Sequence, residues 1–164
     1  MAAPIRAALM ITCLGDMFFP EVGVAMVRLL RGLGVEVDFP EGQTCCGMPL
    51  FNSGYDRDAA LVAARTVKLF ERAEHVVVPS GSCAFMVKTE YPGLLKHDPA
   101  LRAAAESLAR RTRELSQFLV EVLGVSRVDS SPRPPAFLAC TANWYVVSAV
   151  RPVTVCLGTL VAGG

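Results

Sequence analysis

The sequence GYDRDAALVAARTVKLFERAEHVVVPSGSC, residues 54–83, decides the fold. Its first part carries Leu61, Val62 and Leu69 at a spacing that places apolar side chains on one face of a helix, which Asp56 or Asp58 is expected to cap. The apolar run in HVVVPS (residues 75–80) is typical of a strand buried on both faces. The stretch therefore predicts a helix, then a buried strand, then a cysteine where the next helix begins.

The same alternation continues on both sides of this stretch. Upstream lie a strand (IRAALMITC, 5–13), a helix that begins with proline and ends with glycine (PEVGVAMVRLLRGLG, 20–34) and a second strand (VEVDFP, 35–40). Downstream, residues 98–124 are predicted to be helical, with RRTRE (110–114) on a solvated helix face, and AFLAC (136–140) fits a fourth strand. Strands that alternate with helices are typical of a parallel sheet. We therefore predict an α/β fold, a Rossmann-like parallel sheet of three to four strands with flanking helices.

The composition is that of one globular domain. The chain has 164 residues, of which 52% are apolar and 19% charged, and this length can bury a single hydrophobic core. The net charge of +1 gives no basis for binding nucleic acid. We predict no membrane span. Six cysteines in a long chain rich in Ala, Val and Leu favour reduced thiols in the cytoplasm over a secreted disulfide scaffold.

Four of the cysteines follow predicted strands. Cys13 ends the first strand, Cys45 and Cys46 lie in the loop after the second, and Cys83 follows the third. In an open α/β sheet the carboxyl ends of parallel strands share one edge, where ligands bind. We therefore expect these four thiols, far apart in sequence, to converge on one side of the molecule.

Four thiolates suit either zinc or an iron–sulfur cluster. The paired C-x2-C spacing of structural zinc sites does not occur, and long gaps around the vicinal pair Cys45-Cys46 favour a larger inorganic cluster. Zinc, or thiols that bind no metal, stay open as alternatives on the residues alone. Gly15, Gly47 and Gly81 each lie within two residues of one of these cysteines, and glycine lets the backbone approach a bulky ligand.

The spacing of these residues resembles a known family. Cys13, then 31 residues, then Cys45-Cys46-Gly47, then 35 residues, then Cys83, is similar to the first half of the cysteine-rich CCG-domain family. That family includes subunits of heterodisulfide reductases, glycolate oxidase iron–sulfur subunits and lactate-utilisation proteins. The segments TCLGDMFFPEVGVAMVRLLRGLGVEVDFPEGQTCCGMPLFNSG (12–54) and VVVPSGSCAFMVKTEYP (76–92) are most similar to the lactate-utilisation branch.

The resemblance implies a function and a set of ligands. Cys13, Cys45, Cys46 and Cys83 would bind an iron–sulfur cluster, expected to be of the 4Fe-4S type, with no catalytic side chain. The chain would be an electron-transfer subunit of an L-lactate oxidation complex that works with other iron–sulfur subunits. Alternatives are a glycolate oxidase or heterodisulfide reductase-like subunit, and a structural metal-binding domain or inactive fragment. Where the family motif often has the first cysteine of a C-x2-C pair, this chain has Ser80, which is expected to cap a helix, with a hydrogen bond to a sulfide as the alternative; whether it binds metal is left open.

The C-terminal tail departs from the family pattern. We expect residues 1–129 to form the first CCG domain and residues 130–164 to be an aberrant tail, a remnant of the start of a second repeat in a pseudo-duplicated fold. Cys140 falls where the first cysteine of that repeat is expected, and whether it binds metal is left open. Cys156 is interpreted as an ordinary apolar residue. The tail suggests a truncated or frameshifted product.

Overall fold

A computed structural model describes residues 4–125. Within this range four strands form one sheet in the order β2-β1-β3-β4, and every neighbouring pair is parallel. The predicted Rossmann-like α/β fold is thus confirmed. The elements in chain order are β1 (Arg6–Leu9), α1 (Cys13–Phe18), α2 (Pro20–Gly32), β2 (Glu36–Asp38), α3 (Met48–Asn52), α4 (Asp56–Leu69), β3 (His75–Val78), α5 (Gly81–Phe85), a π-helical turn (Met86–Glu90), α6 (Tyr91–Leu94), α7 (Pro99–Arg111), β4 (Thr112–Glu114) and α8 (Leu115–Glu121).

The strand order creates a switch point at the middle of the sheet. From β1 the chain first adds β2 on one side, then crosses back to add β3 on the other side, so that Ala8 pairs with both Asp38 and Val76. Loops that leave β1 and β3 therefore run in opposite directions from adjacent strands. A crevice forms outside the carboxyl ends of such strands, and it is the usual ligand site in this fold class.

The central strands are buried because their side chains are small or β-branched and apolar on both faces. Leu9 of β1 and Val76 to Val78 of β3 are fully buried, as expected for parallel strands covered by helices. Among the described residues the largest fully buried side chains are Tyr91 at the start of α6, Phe70 directly after α4, and Phe118 in α8. This core lies directly beneath the loops that carry the cysteines.

Helix α4 lies where it was predicted, but the predictions of its buried face and of its N-cap residue were wrong. Ala59, Ala63 and Val67 face the core, whereas Leu61 is 71% exposed. Small alanines suit this face because the helix lies close to its neighbours. Asp56 and Asp58 lie in the first helical turn but do not cap it, since Tyr55 holds the N-cap position and makes no side-chain capping bond.

The fourth strand of the described range lies where a solvated helix face was predicted. Helix α7 ends at Arg111, and β4 pairs in parallel with β3, with Thr112 opposite Val76 and Glu114 opposite Val78. Thr112 is only 1% exposed, because pairing with β3 draws this β-branched residue into the core. The segment predicted as a fourth strand, residues 136–140, lies outside the described residues. No helix within residues 4–125 has the length and apolar character needed to cross a membrane.

Candidate metal centre

The three loops at the carboxyl ends of β1, β2 and β3 bring four thiols together. The sulfur atoms of Cys13 and Cys45 lie 3.4 Å apart, and those of Cys46 and Cys83 lie 3.3 Å apart. The first pair, here called the outer pair, is half-buried, and the second, the inner pair, is buried. The expected convergence of the four cysteines is therefore present at the switch point of the sheet.

Cys13 is positioned by a helix and not, as predicted, by the end of a strand. Strand β1 stops at Leu9, and Cys13 is the first residue of α1. The Thr12 side chain caps this helix by accepting a hydrogen bond from the Gly15 backbone N–H at 3.1 Å. A Cβ atom at position 15 would lie 2.8 Å from the Thr12 hydroxyl oxygen, so Gly15 serves this close cap.

Gln43 ties the first two cysteine loops together. Its side-chain Nε2 donates hydrogen bonds to the carbonyl oxygens of Leu9 at 2.8 Å and Pro40 at 3.0 Å, while its Oε1 accepts from the Ile11 backbone N–H at 2.9 Å. One side chain therefore satisfies backbone groups on both sides of the crevice. Because Cys13 and Cys45 each lie two residues from these bonded positions, the outer pair depends on this bridge.

Tyr91 is hydrogen-bonded to the backbone of the vicinal pair Cys45-Cys46. Its hydroxyl donates a hydrogen bond of 2.9 Å to the Cys46 carbonyl oxygen, and the whole residue is buried. Burial raises the pKa of Tyr91, so the phenol stays protonated and remains a donor. Directly after Cys46, Gly47 adopts a φ of 85°, which is a left-handed conformation that glycine tolerates best.

Backbone N–H groups influence the pKa of two of the thiols. Backbone N–H groups of Leu14 and Met48 donate toward the sulfurs of Cys13 and Cys46, and each lowers the pKa of its thiol. These contributions are outweighed: burial raises the pKa of Cys13, and the hydrogen bond with Cys83, together with burial, raises that of Cys46. Such donors stabilise sulfur that carries negative charge.

Cys83 carries the more acidic thiol of the inner pair. Its sulfur accepts a hydrogen bond from Cys46, which opposes the effect of burial, and the Ser80 hydroxyl adds a second one, so the pKa of Cys83 is lowered to about 7. Ser80 holds the N-cap position of α5, yet its side chain makes no capping bond, so the expected cap is wrong. Its hydroxyl lies 3.1 Å from that of Ser82.

The donor set of four thiols suits either zinc or an iron–sulfur cluster. A tetrahedral zinc site with Zn–S bonds of about 2.3 Å separates its sulfurs by about 3.8 Å, and ligands on different irons of one cluster lie farther apart still, so either occupant would require the paired sulfurs to move apart. Within the part of the chain that the structure describes, no group of three or more His, Cys, Asp or Glu side chains is placed to hold a metal ion. Four clustered thiols are the ligand set that structural zinc sites and iron–sulfur clusters both use.

Comparison with known proteins assigns the family. The profile described as "CCG: Cysteine-rich domain" matches residues 7–88, a range that includes all four thiols. The chain belongs to the cysteine-rich CCG-domain family. No solved structure matches it.

Curated relatives of this CCG-domain protein carry one recurring name. The chain is 53% identical over 120 residues to "Lactate utilization protein A 2" of Bacillus cereus (strain Q1), which covers 73% of this chain and 50% of that protein. It is 52% identical over 127 residues to "Lactate utilization protein A" of Bacillus licheniformis, or 77% of this chain and 53% of the relative. The chain thus spans about half the length of the curated relatives it matches.

Sequence reasoning found the thiols of this CCG domain but missed the residues that hold them. Gln43 stands two residues before Cys45, and a polar side chain beside the CCG motif was a usable signal for a loop bridge. Tyr91 lies eight residues beyond Cys83, at the end of a π-helical turn (Met86–Glu90), and no local pattern pointed to it. Such turns are frequent at functional sites.

Proposed function

We propose that this chain binds an iron–sulfur cluster through Cys13, Cys45, Cys46 and Cys83, and that it serves as an electron-transfer subunit. The observation that carries the proposal is the gathering of four thiols from three separate loops at the switch point of the sheet. The family match supports it, since the matched range contains every proposed ligand. When bound, such a cluster supplies one-electron transfer.

The protein's own residues would bind the cluster and adjust its reduction potential. The four thiolates would be the ligands. The N–H groups of Leu14 and Met48 and the Ser80 hydroxyl donate toward sulfur, and hydrogen bonds of this kind raise the reduction potential of a cluster because they stabilise its added negative charge. No side chain is required to act as a catalytic acid or base.

We further propose a role in L-lactate oxidation, in a cytoplasmic complex with other iron–sulfur subunits. The names of the curated relatives support the link to lactate utilisation, and so does identity of about half over the matched residues. We assign residues 1–129 to a first CCG domain and residues 130–164 to a tail left from the start of a second repeat. Substrate oxidation would belong to the complex and not to this domain alone.

Anaerobic reconstitution with iron and sulfide tests the cluster. We expect a brown protein with stoichiometric iron and sulfide, and loss of most of that iron in each of four single Cys→Ser variants at the proposed ligands. Cys156→Ser is the matched control, because it removes a thiol outside the ligand set, and it should load like the parent. A colourless protein that binds zinc stoichiometrically under the same conditions would instead favour a structural metal site.

A further inference from the structure

The four thiols have a definite pairing before any cluster is considered. Cys13 contacts Cys45 at 3.4 Å and Cys46 contacts Cys83 at 3.3 Å, although the partners are 32 and 37 residues apart in sequence. Cys45 and Cys46 are close as well, being adjacent in the chain. A disulfide between adjacent residues is strained, because the bond needs a Cα separation and Cβ directions that a trans peptide link does not provide.

We propose that these thiols, when they hold no cluster, form an oxidative modification site that peroxide converts into two long-range disulfides, one between Cys13 and Cys45 and one between Cys46 and Cys83. The inference rests on the proposed function only in using the same four side chains. The reactant at this site is a small two-electron oxidant. The oxidised domain takes up no iron until its disulfides are reduced.

The chemistry balances with hydrogen peroxide as the only co-reactant. One sulfur of a pair attacks a peroxide oxygen, the O–O bond breaks, and a sulfenic acid and one water form. The partner sulfur then attacks the sulfenic sulfur, the S–O bond breaks, and the released hydroxide takes up the partner's thiol proton and leaves as a second water. Each pair thus loses two electrons to one peroxide and gains one S–S bond.

The fold selects this pairing among the three that four cysteines allow. One alternative contains the strained bond between Cys45 and Cys46. The other, in which Cys13 joins Cys46, requires both observed contacts to break. Gln43 and Tyr91 resist that exchange, because their hydrogen bonds hold the loop of the vicinal pair in place.

Peptide mapping of the apo protein tests the pairing. A parent with Cys140→Ser and Cys156→Ser contains only the four thiols in question. Trypsin releases Cys13 in residues 7–28, the vicinal pair in residues 32–57 and Cys83 in residues 73–88. In the oxidised parent we expect these three peptides to be joined together. A peptide 32–57 that carries an internal disulfide would overturn the proposal.

Two single variants separate the remaining pairings and control for each other. With Cys45→Ser, peroxide should join peptide 32–57 to peptide 73–88 and leave Cys13 open to alkylation. With Cys46→Ser, it should join peptide 32–57 to peptide 7–28 and leave Cys83 open to alkylation. The reverse links, or equal mixtures of both, would overturn the proposal. Electron-transfer fragmentation of the joined parent peptides reads the same bonds without replacing any of the four thiols.

Iron loading of the same parent keeps the two proposals distinct. If the expected disulfides form in a protein that never binds iron, the oxidative site stands and the proposed function fails. If iron and sulfide load normally but the disulfides are scrambled, the oxidative site fails alone. Peroxide-treated apo protein should lose iron uptake and recover it after treatment with a dithiol reductant. If the protein with both disulfides formed took up as much iron as the reduced protein, the predicted loss of metal binding on oxidation would be refuted.

Discussion

Replacing Tyr91 by phenylalanine removes one buried hydrogen bond and keeps the aromatic ring that packs in the core. The lost bond is the 2.9 Å contact from the phenol to the Cys46 carbonyl oxygen. Among residues 4–125 no other donor bonds to that oxygen. The substitution therefore leaves a buried acceptor unpaired at the base of the vicinal cysteine loop.

The expected cost follows from the burial of the bond. An unsatisfied buried polar group costs about 1–3 kcal/mol, and Tyr91 is fully buried, so we expect Tyr91→Phe to lower the free energy of unfolding by about 2 kcal/mol. This corresponds to about a thirtyfold change in the unfolding equilibrium constant. Urea denaturation of the apo protein, followed by circular dichroism, measures it. The cluster-loaded variant should also release iron to a chelator faster, because Cys46 is held less firmly.

Tyr55→Phe is the matched control. Tyr55 is 60% exposed, and its hydroxyl bonds to no residue in the described range, so the same atom is removed without an energetic penalty. Equal stability of the two variants would show that the Tyr91 hydroxyl does not support the loop. Equal rates of iron release would show that the Tyr91 hydroxyl does not help to hold Cys46 in place.

Three further predictions concern the surroundings of the thiols and the sheet. Gln43→Leu removes two hydrogen bonds that join the first two cysteine loops and a third to Pro40 within its own loop, and we expect it to destabilise the apo protein by about 2–3 kcal/mol in urea denaturation; unchanged stability would refute the bridge. Ser80→Ala removes a donor to sulfur, so the pKa of Cys83 should rise above about 7 in a pH series of alkylation rates, whereas Ser82→Ala should not raise it. Burial lowers the pKa of His75 below its unfolded value of about 6.5. As the pH falls through 6.5, the unfolded chain therefore takes up a proton at His75 before the folded chain does. The free energy of unfolding should be unaffected by His75 above this pH and should decrease below it. The decline should be absent in His75→Leu, and a stability of the parent that rises on acidification through this range would contradict the assignment.

The parallel sheet was predictable because its evidence is local. Apolar runs such as Val76 to Val78 carry the signature of buried strands within a few residues, and the helices between them impose parallel pairing. The convergence of the cysteines followed from the same reasoning, since each thiol lies in a loop or at a helix start that follows a strand. Strand β4 could not be predicted in this way. Thr112 follows a strongly helical segment, and only pairing with β3 makes an extended conformation favourable there.

The sequence by itself determined the fold class, the edge of the sheet where a ligand would bind, and the four thiols that gather there. These depend on periodicity and on order along the chain. Only the tertiary structure decided which thiol contacts which, that Ser80 faces a sulfur and does not cap its helix, and that Gln43 and Tyr91 hold the loops. The physical reason is that, apart from the Ser80 hydroxyl three residues from Cys83, these features depend on distances of a few ångströms between residues 30 or more positions apart, and such distances exist only after the strands have paired.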